Sequence, residues 1–104
     1  MEISVQEYQK LKEEEKDHLL VDVRETQERE YCSIQPSVHL PLSGFGENFK
    51  ALEKSGKLVI YCHHGMRSLQ AAKFLNERGY LNVLSLAGGI DAWSVAIDPN
   101  VPRY

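Results

Sequence analysis

Hydrophobic positions follow two different spacings along this chain. Short continuous apolar runs occur at residues 18–23 (HLLVDV), 37–42 (SVHLPL), 57–62 (KLVIYC) and 81–86 (LNVLSL). Runs of this length, bounded by charge, glycine or proline, are typical of buried strands. Because segments of helical spacing lie between them, the pattern predicts an α/β fold with a central parallel sheet and helices on both faces.

The helical segments are marked by their spacing and by their ends. The first begins with a capping box, in which Ser4 is followed three residues later by Glu7, and it repeats apolar residues on one face. Further helices are predicted at residues 46–56, 67–79 and 90–97, and a single helical turn in the charged segment 24–30.

Composition limits the class of protein. The chain has 104 residues, of which 42% are hydrophobic and 26% charged, as expected for one globular domain spanning residues 1–104. No apolar run approaches the roughly 18 residues of a membrane span, and the N-terminus lacks the basic-then-apolar order of a signal peptide. We therefore expect a cytoplasmic protein with no membrane partner, whose two cysteines are free thiols.

The charge distribution argues against nucleic acid as a partner. The net charge is −3, whereas nucleic-acid binding needs a basic face. Residues 1–30 hold ten acidic and five basic side chains, and residues 31–104 hold five acidic and seven basic ones. The second part is mildly cationic, which suits a small anionic substrate, although a solvated acidic first helix explains most of the asymmetry.

The segment LVIYCHHGMRSLQAAKFL places Cys62 where a strand ends and a helix begins. In α/β sheets, ligands bind at the carboxyl ends of the strands. The amides of residues 63–67 have no intrahelical partners there, so they can converge on an anion. We therefore expect the Cys62 thiol to ionise readily, with Gly65 permitting a close turn and Arg67 supplying a fixed positive charge.

The motif Cys-x-x-Gly-x-Arg-Ser, from Cys62 to Ser68, resembles the active-site loop of rhodanese-like sulfurtransferases, and the resemblance covers nearly the whole chain. Three further motifs occur in the order found in that family: Asp22, Arg24, Glu25 and Glu28 in LLVDVRETQERE; Leu40 and Pro41; and Gly88, Gly89 and Trp93. One departure is Cys32-Ser33, where many members carry Gly-His, so no histidine can act at that point.

The resemblance implies a persulfide mechanism that needs no cofactor. The Cys62 thiolate would take the outer sulfur of a small anionic donor such as thiosulfate and pass it to a thiol, a sulfur-carrier protein or cyanide. The loop amides would hold the terminal sulfur as an anion. Arg67 would either orient the donor or brace the loop.

The other loop residues are assigned to substrate binding: His63, His64, Gly65, Met66 and Ser68. Histidines facing outward at a pocket mouth would favour anionic donors when charged, but filling variable loop positions is an equally good interpretation. Met66 is either a pocket wall or exposed. A metal site built from Cys62 and the two histidines is disfavoured, because adjacent residues rarely converge on one ion and no fourth ligand has zinc spacing. We therefore predict no metal.

Asp22 and Arg24 have two open interpretations. They form a pair that supports the active-site loop from the neighbouring strand, or Asp22 is an ordinary strand-end residue that caps backbone amides. Cys32 is interpreted as a buried filler rather than as a thiol that resolves the persulfide, since nothing in the sequence places it beside Cys62.

Two other functions compete with sulfur transfer. Cysteine phosphatases and arsenate reductases need a similar loop, but phosphatases have five residues between cysteine and arginine, and here HHGM supplies four, a tighter ring that suits one sulfur atom. A non-catalytic or redox-sensing module of the same fold is the second alternative, because an easily ionised thiol is also readily oxidised. The C-terminal IDPNVPRY resembles the end of rhodanese domains fused to enzymes that activate sulfur-carrier proteins.

Overall fold

The sheet that the sequence predicts is present in a computed structural model that describes all residues, 1–104. Five strands form it: β1 (Glu2–Ile3), β2 (Leu19–Asp22), β3 (Val38–His39), β4 (Leu58–Tyr61) and β5 (Val83–Leu86). Their order is β1-β5-β4-β2-β3, and every neighbouring pair is parallel. The predicted α/β fold with a parallel sheet is therefore confirmed.

Four α-helices connect the strands and a fifth follows β5: α1 (Val5–Glu13), α2 (Thr26–Tyr31), α3 (Leu42–Asn48), α4 (Met66–Asn76) and α5 (Gly89–Ala96). The predicted capping box begins α1, since the Glu7 amide donates to Ser4 Oγ at 3.0 Å and the Ser4 amide donates to Glu7 Oε1 at 3.1 Å. None of these helices has the length and apolar character needed to cross a membrane.

Burial on the two sides of β4 follows strand alternation. Leu58 and Ile60 belong to a core cluster that includes buried side chains of α4, whereas Val59 and Tyr61 belong to a second cluster that includes side chains of α1 and α5. Both faces of the sheet are therefore covered by helices. A central strand with two apolar faces explains why residues 57–62 read as a continuous apolar run.

The sequence prediction was wrong for the segment between β3 and β4. A helix was expected at residues 46–56, but α3 begins at Leu42, directly after an extended Pro41, and a 3₁₀ turn (Phe49–Ala51) follows it. Two glycines in α3 weaken its helical signal, and the helix is held instead by tertiary packing of Phe45 against Phe49 and Phe74. Tertiary contacts here outweigh local propensity.

Three other boundaries differ from the sequence prediction. The run at 37–42 is a strand only at Val38–His39; the Leu40 amide still donates to the Asp22 carbonyl at 2.9 Å, and Pro41 then has no amide to extend the ladder. In the segment predicted to hold a single helical turn, the six-residue helix α2 forms at Thr26–Tyr31, with Glu25 and Glu28 making a capping box at its start. Strand β1 has two residues and was missed, because two residues carry no recognisable period.

The turn before α5 packs directly on the segment after β4. The Ile90 amide donates to the Cys62 carbonyl at 2.9 Å, and the Asp91 amide donates to the His63 carbonyl at 3.1 Å. Gly89 has φ +60°, and a Cβ there would collide with both of these carbonyl groups. This contact joins the ends of β4 and β5 and fixes the position of the Cys62 loop.

We expect Gly89→Ala to lower the free energy of unfolding by more than about 1 kcal/mol, because alanine adds both backbone strain and a steric clash. Gly46→Ala is the matched control, since a Cβ there meets nothing within 4 Å and the residue lies inside α3. That control should raise the free energy of unfolding by about 0.5–1 kcal/mol. Urea denaturation measures both, and equal stabilities for the two variants would contradict the packing described.

Candidate active site

Two main-chain amides point at the sulfur of Cys62. The Gly65 amide donates to Cys62 Sγ at 3.1 Å, and the Ser68 amide donates to it at 3.3 Å. The thiol also lies 3.5 Å from Ser68 Oγ, and Cys62 is 1% exposed. The sulfur therefore sits at the base of the loop, with donors on its polar side and the apolar core behind it.

The shape of the loop follows from Gly65, which has φ +104° and stands immediately before α4. Positive φ favours glycine, and a Cβ at this position would lie 3.1 Å from the Gly88 amide nitrogen. The first amides of a helix have no intrahelical acceptor, so that of Ser68 is free to serve the sulfur. The sequence predicted that amides of residues 63–67 would serve the sulfur; Gly65 lies in that range, whereas Ser68 lies one residue beyond it.

A buried pair of hydroxyl groups stands behind the loop. Ser68 Oγ donates to the Gly65 carbonyl at 3.2 Å and lies 2.7 Å from Ser85 Oγ, and both serines are fully buried. Ser68 thus holds the turn in shape while its amide reaches Cys62. The role of Ser85 could not be predicted from the sequence, because an isolated serine in an apolar strand has no distinguishing pattern.

The Arg67 guanidinium binds a carboxylate of another helix rather than the sulfur of Cys62. Its guanidinium donates to Glu28 Oε1 at 2.7 Å and to Oε2 at 2.9 Å, which ties the start of α4 to α2. Hydrogen bonds from Arg67 are the main reason that the pKa of Glu28 is lowered to about 2, and those to Glu28 raise the pKa of Arg67. Of the two roles considered for Arg67, this contact matches bracing of the loop.

Tyr104 joins this ion pair from the far end of the chain. Its hydroxyl donates to Glu28 Oε2 at 2.6 Å and accepts from Arg24 Nη1 at 3.0 Å. Its ring stacks on His63 with centroids 3.8 Å apart and planes 8° from parallel. Sequence reasoning gave Tyr104 no role, because no local pattern relates it to residues that lie 76 positions away.

The two loop histidines differ in environment. His64 is exposed, with Nε2 3.9 Å from Asp91 Oδ2. His63 is stacked between His64 and Tyr104, and its Nε2 is buried without a hydrogen-bond partner. Burial is the main cause that lowers the pKa of His63, followed by the charge of His64. His63 is thus half-buried within an aromatic stack at the rim of the loop, whereas His64 faces outward.

Met66 and Asp91 complete the surroundings of the loop. Met66 is 72% exposed, so of its two predicted placements the structure has the exposed one. Ligand atoms of His63, His64 and Asp91 lie within 4.8 Å of one another. Arg103 donates to both oxygens of Asp91 at 2.9 and 3.2 Å, so this carboxylate is already paired with a cation of the chain.

Asp22 and Arg24 form a fully buried ion pair, and Asp22 also accepts a hydrogen bond from a backbone amide, so features of both interpretations are present. Asp22 Oδ1 accepts from the Arg24 amide at 2.9 Å and from Arg24 Nε at 3.0 Å, while Oδ2 accepts from Nη2 at 2.8 Å. Burial alone would raise the pKa of Asp22, but hydrogen bonds from Arg24 outweigh it and lower the pKa. Arg24 also donates to the Cys32 carbonyl and to Tyr104, so it supports the loop from the side of Glu28.

Cys32 lies away from the reacting position. It is buried in the core cluster on one face of the sheet, whereas Cys62 belongs to the cluster on the other face. Both thiols are free. The structure therefore offers no support for a disulfide between them, and Cys32 has the surroundings of a core filler.

The pKa of Glu28 gives a prediction for stability against pH. Because its folded pKa of about 2 lies below the ordinary 4.5, the Arg67 pair stabilises the fold fully above pH 4.5 and progressively less as pH falls towards 2. We expect the stability difference between wild type and Glu28→Gln to be largest above pH 4.5 and to shrink below it. Urea unfolding at a series of pH values measures this.

Glu30→Gln is the control, since it makes the same charge change at an exposed position of α2. A stability difference for Glu28→Gln that stays constant from neutral to acid pH would contradict the ion pair.

Comparison with known proteins gives one consistent family. The model of the rhodanese-like domain matches residues 4–96. Thiosulfate sulfurtransferase GlpE of Actinobacillus succinogenes is 34% identical over 86 residues, which cover 83% of this chain and 78% of that protein. The crystal structure of a rhodanese-related protein from Thermoplasma volcanium superposes with a TM-score of 0.83 at 35% identity, covering 99% of this chain and 98% of the other.

A longer relative matches the chain over almost its full length. Adenylyltransferase and sulfurtransferase MOCS3-2 of Zea mays is 38% identical over 109 residues, which cover 98% of this chain and 23% of the maize protein. The chain therefore spans about a quarter of the length of such curated relatives.

Proposed function

The chain belongs to the rhodanese-like domain family, and on that premise we propose that it is a sulfurtransferase that carries sulfur as a persulfide on Cys62. The observation that supports this most strongly is the convergence of the Gly65 and Ser68 amides on Cys62 Sγ. Amide donors aimed at a sulfur favour its charged forms, both the thiolate and the persulfide anion.

The first half of the reaction loads the cysteine. The Cys62 thiolate attacks the outer sulfur of thiosulfate, a new S–S bond forms, and the S–S bond of the donor breaks. The electron pair of the broken bond leaves with sulfite. The thiolate and the thiosulfate dianion thus become the persulfide anion and the sulfite dianion. The reaction needs no external oxidant or reductant and no cofactor.

The loop has the means to hold the loaded form. A hydrogen bond to a charged acceptor contributes about 1.5–3 kcal/mol, and the amides of Gly65 and Ser68 supply two such bonds near the sulfur. The positive end of the dipole of α4, an 11-residue helix, points at the same place. These groups are built into the backbone, so they need little rearrangement when the charge moves to the outer sulfur.

The second half returns the enzyme to its thiolate. An acceptor thiolate attacks the outer sulfur, becomes a persulfide and releases the Cys62 thiolate. With cyanide as the acceptor, the same attack gives thiocyanate. We propose a thiol or a sulfur-carrier protein as the acceptor. The name of the maize relative, which joins an adenylyltransferase to a sulfurtransferase, and the similar C-terminal segment favour a protein acceptor.

A phosphatase is less well supported by the geometry. The loop between Cys62 and Arg67 has four residues, and the guanidinium that a phosphatase would use on its substrate is bound to Glu28. A redox sensor would use the same thiol, and sulfur gain from thiosulfate at Cys62 distinguishes sulfur transfer from it.

We expect thiosulfate to add one sulfur atom to the peptide that contains Cys62 in the reduced protein, because the loop amides hold the product anion. Mass spectrometry of the digested protein measures this. Cys62→Ser should gain no sulfur, whereas Cys32→Ala, the matched control, should gain it as the wild type does. Hydrolysis of p-nitrophenyl phosphate without sulfur gain would favour a phosphatase, and the absence of both reactions would favour a binding module.

A further inference from the structure

Each arginine near the Cys62 loop is already paired with a carboxylate. Arg67 binds Glu28, Arg24 binds Asp22, and Arg103 binds Asp91, with N–O distances of 2.7, 2.8 and 2.9 Å. A site for a small dianion usually presents an unpaired guanidinium or ammonium group. Here all three guanidinium groups are paired, and Asp22 also accepts from Arg29 Nη1 at 3.2 Å.

Glu28 is fixed in place rather than mobile at the surface. It accepts two hydrogen bonds from Arg67, one from the Glu25 amide at 3.1 Å and one from the hydroxyl of Tyr104. Its side chain is 20% exposed. A carboxylate with four donors around both of its oxygens has little freedom to turn away when an anionic substrate approaches.

We infer that Glu28 is a specificity-determining residue that sets the charge of the sulfur donor accepted at Cys62. It neutralises the cation at the end of the active-site loop, so the loop amides are left as the main anion-binding groups. A donor with a second negative charge gains nothing from Arg67 and is repelled by Glu28 itself. The inference rests on the proposed sulfur transfer at Cys62.

Tyr104 is a positioning residue for Glu28. Its hydroxyl donates to the carboxylate oxygen that also binds Arg67 Nη2, and its ring is held against His63 by stacking. Arg24 donates to the same hydroxyl and thereby orients its proton towards Glu28. Through Tyr104, the C-terminal segment links the Arg67–Glu28 ion pair to His63 of the Cys62 loop.

Two donors that differ by one charge test this directly. Thiosulfate is a dianion, and methanethiosulfonate is a monoanion with the same transferable outer sulfur. In each case Cys62 attacks that sulfur and the electron pair of the broken S–S bond leaves with sulfite or with methanesulfinate. The quantity to measure is the ratio of kcat/KM for thiosulfate to kcat/KM for methanethiosulfonate, with cyanide as the acceptor.

We expect Glu28→Gln to raise this ratio by about tenfold, because freeing the charge of Arg67 favours the dianion more than the monoanion. Most of the change should lie in KM for thiosulfate. Glu30→Gln, which removes the same charge from an exposed position of α2, should leave the ratio within about twofold of the wild type, since exposed charges at a distance are screened. Tyr104→Phe should move the ratio in the same direction as Glu28→Gln, but less.

A purely structural role for Glu28 would lower the rates with both donors alike, and an unchanged ratio would overturn the inference. Salt dependence in the wild-type protein gives a test that needs no variant to fold. Between about 20 and about 200 mM NaCl, KM for thiosulfate should rise less than about twofold, and a steeper rise would reveal a free cation in the site. If neither donor adds sulfur to Cys62, the proposed function fails and the inference with it, whereas sulfur gain with an unchanged ratio refutes the inference alone.

Discussion

The site depends on a sulfur atom placed where β4 ends and α4 begins, at backbone amides that have no helical acceptor. The amides of Gly65 and Ser68 lie 3.1 and 3.3 Å from Cys62 Sγ. The left-handed backbone at Gly65 aims the first of these amides, and the buried hydroxyl of Ser68 holds the turn that aims the second. The turn at Gly89 then fixes the carbonyls on the other side of the loop.

A second layer of charges surrounds this backbone ring. Arg67 and Glu28 join α4 to α2, Asp22 and Arg24 join the end of β2 to the same region, and Tyr104 connects the two pairs through its hydroxyl. The backbone ring binds negative charge without supplying a full cation. The surrounding ion pairs then decide how much additional negative charge the site tolerates.

The parts that the sequence predicted are those that are local in the chain. The change from strand to helical period at Cys62 lies within ten residues, and it predicted amide donors at residues 63–67, of which Gly65 is one, but not the donor at Ser68. The alternation of strands and helices likewise predicted the parallel sheet. The start of α3 was misplaced, because its glycines hide the helix and the packing of Phe45 determines it.

The parts that the sequence could not predict depend on contacts between distant residues. Glu28 and Arg67 are 39 positions apart, and Glu28 and Tyr104 are 76 apart. The sequence predicted Arg67 to be a functional cation from its place in the loop. Its ion pair with Glu28 could not be predicted, because it depends on the folded positions of α2 and α4. The stacking of His63 between two rings was hidden for the same reason.

The most direct test of the account is the amide spectrum of the loaded protein. In ¹H–¹⁵N spectra, the amide protons of Gly65 and Ser68 should lie further downfield in the sulfur-loaded protein than in protein whose Cys62 is alkylated with iodoacetamide, because only the persulfide is an anion. The alkylated protein is the control, since its sulfur is capped without a charge. Equal Gly65 and Ser68 resonances in the loaded and the alkylated protein would contradict the claim that these amides stabilise a charged sulfur.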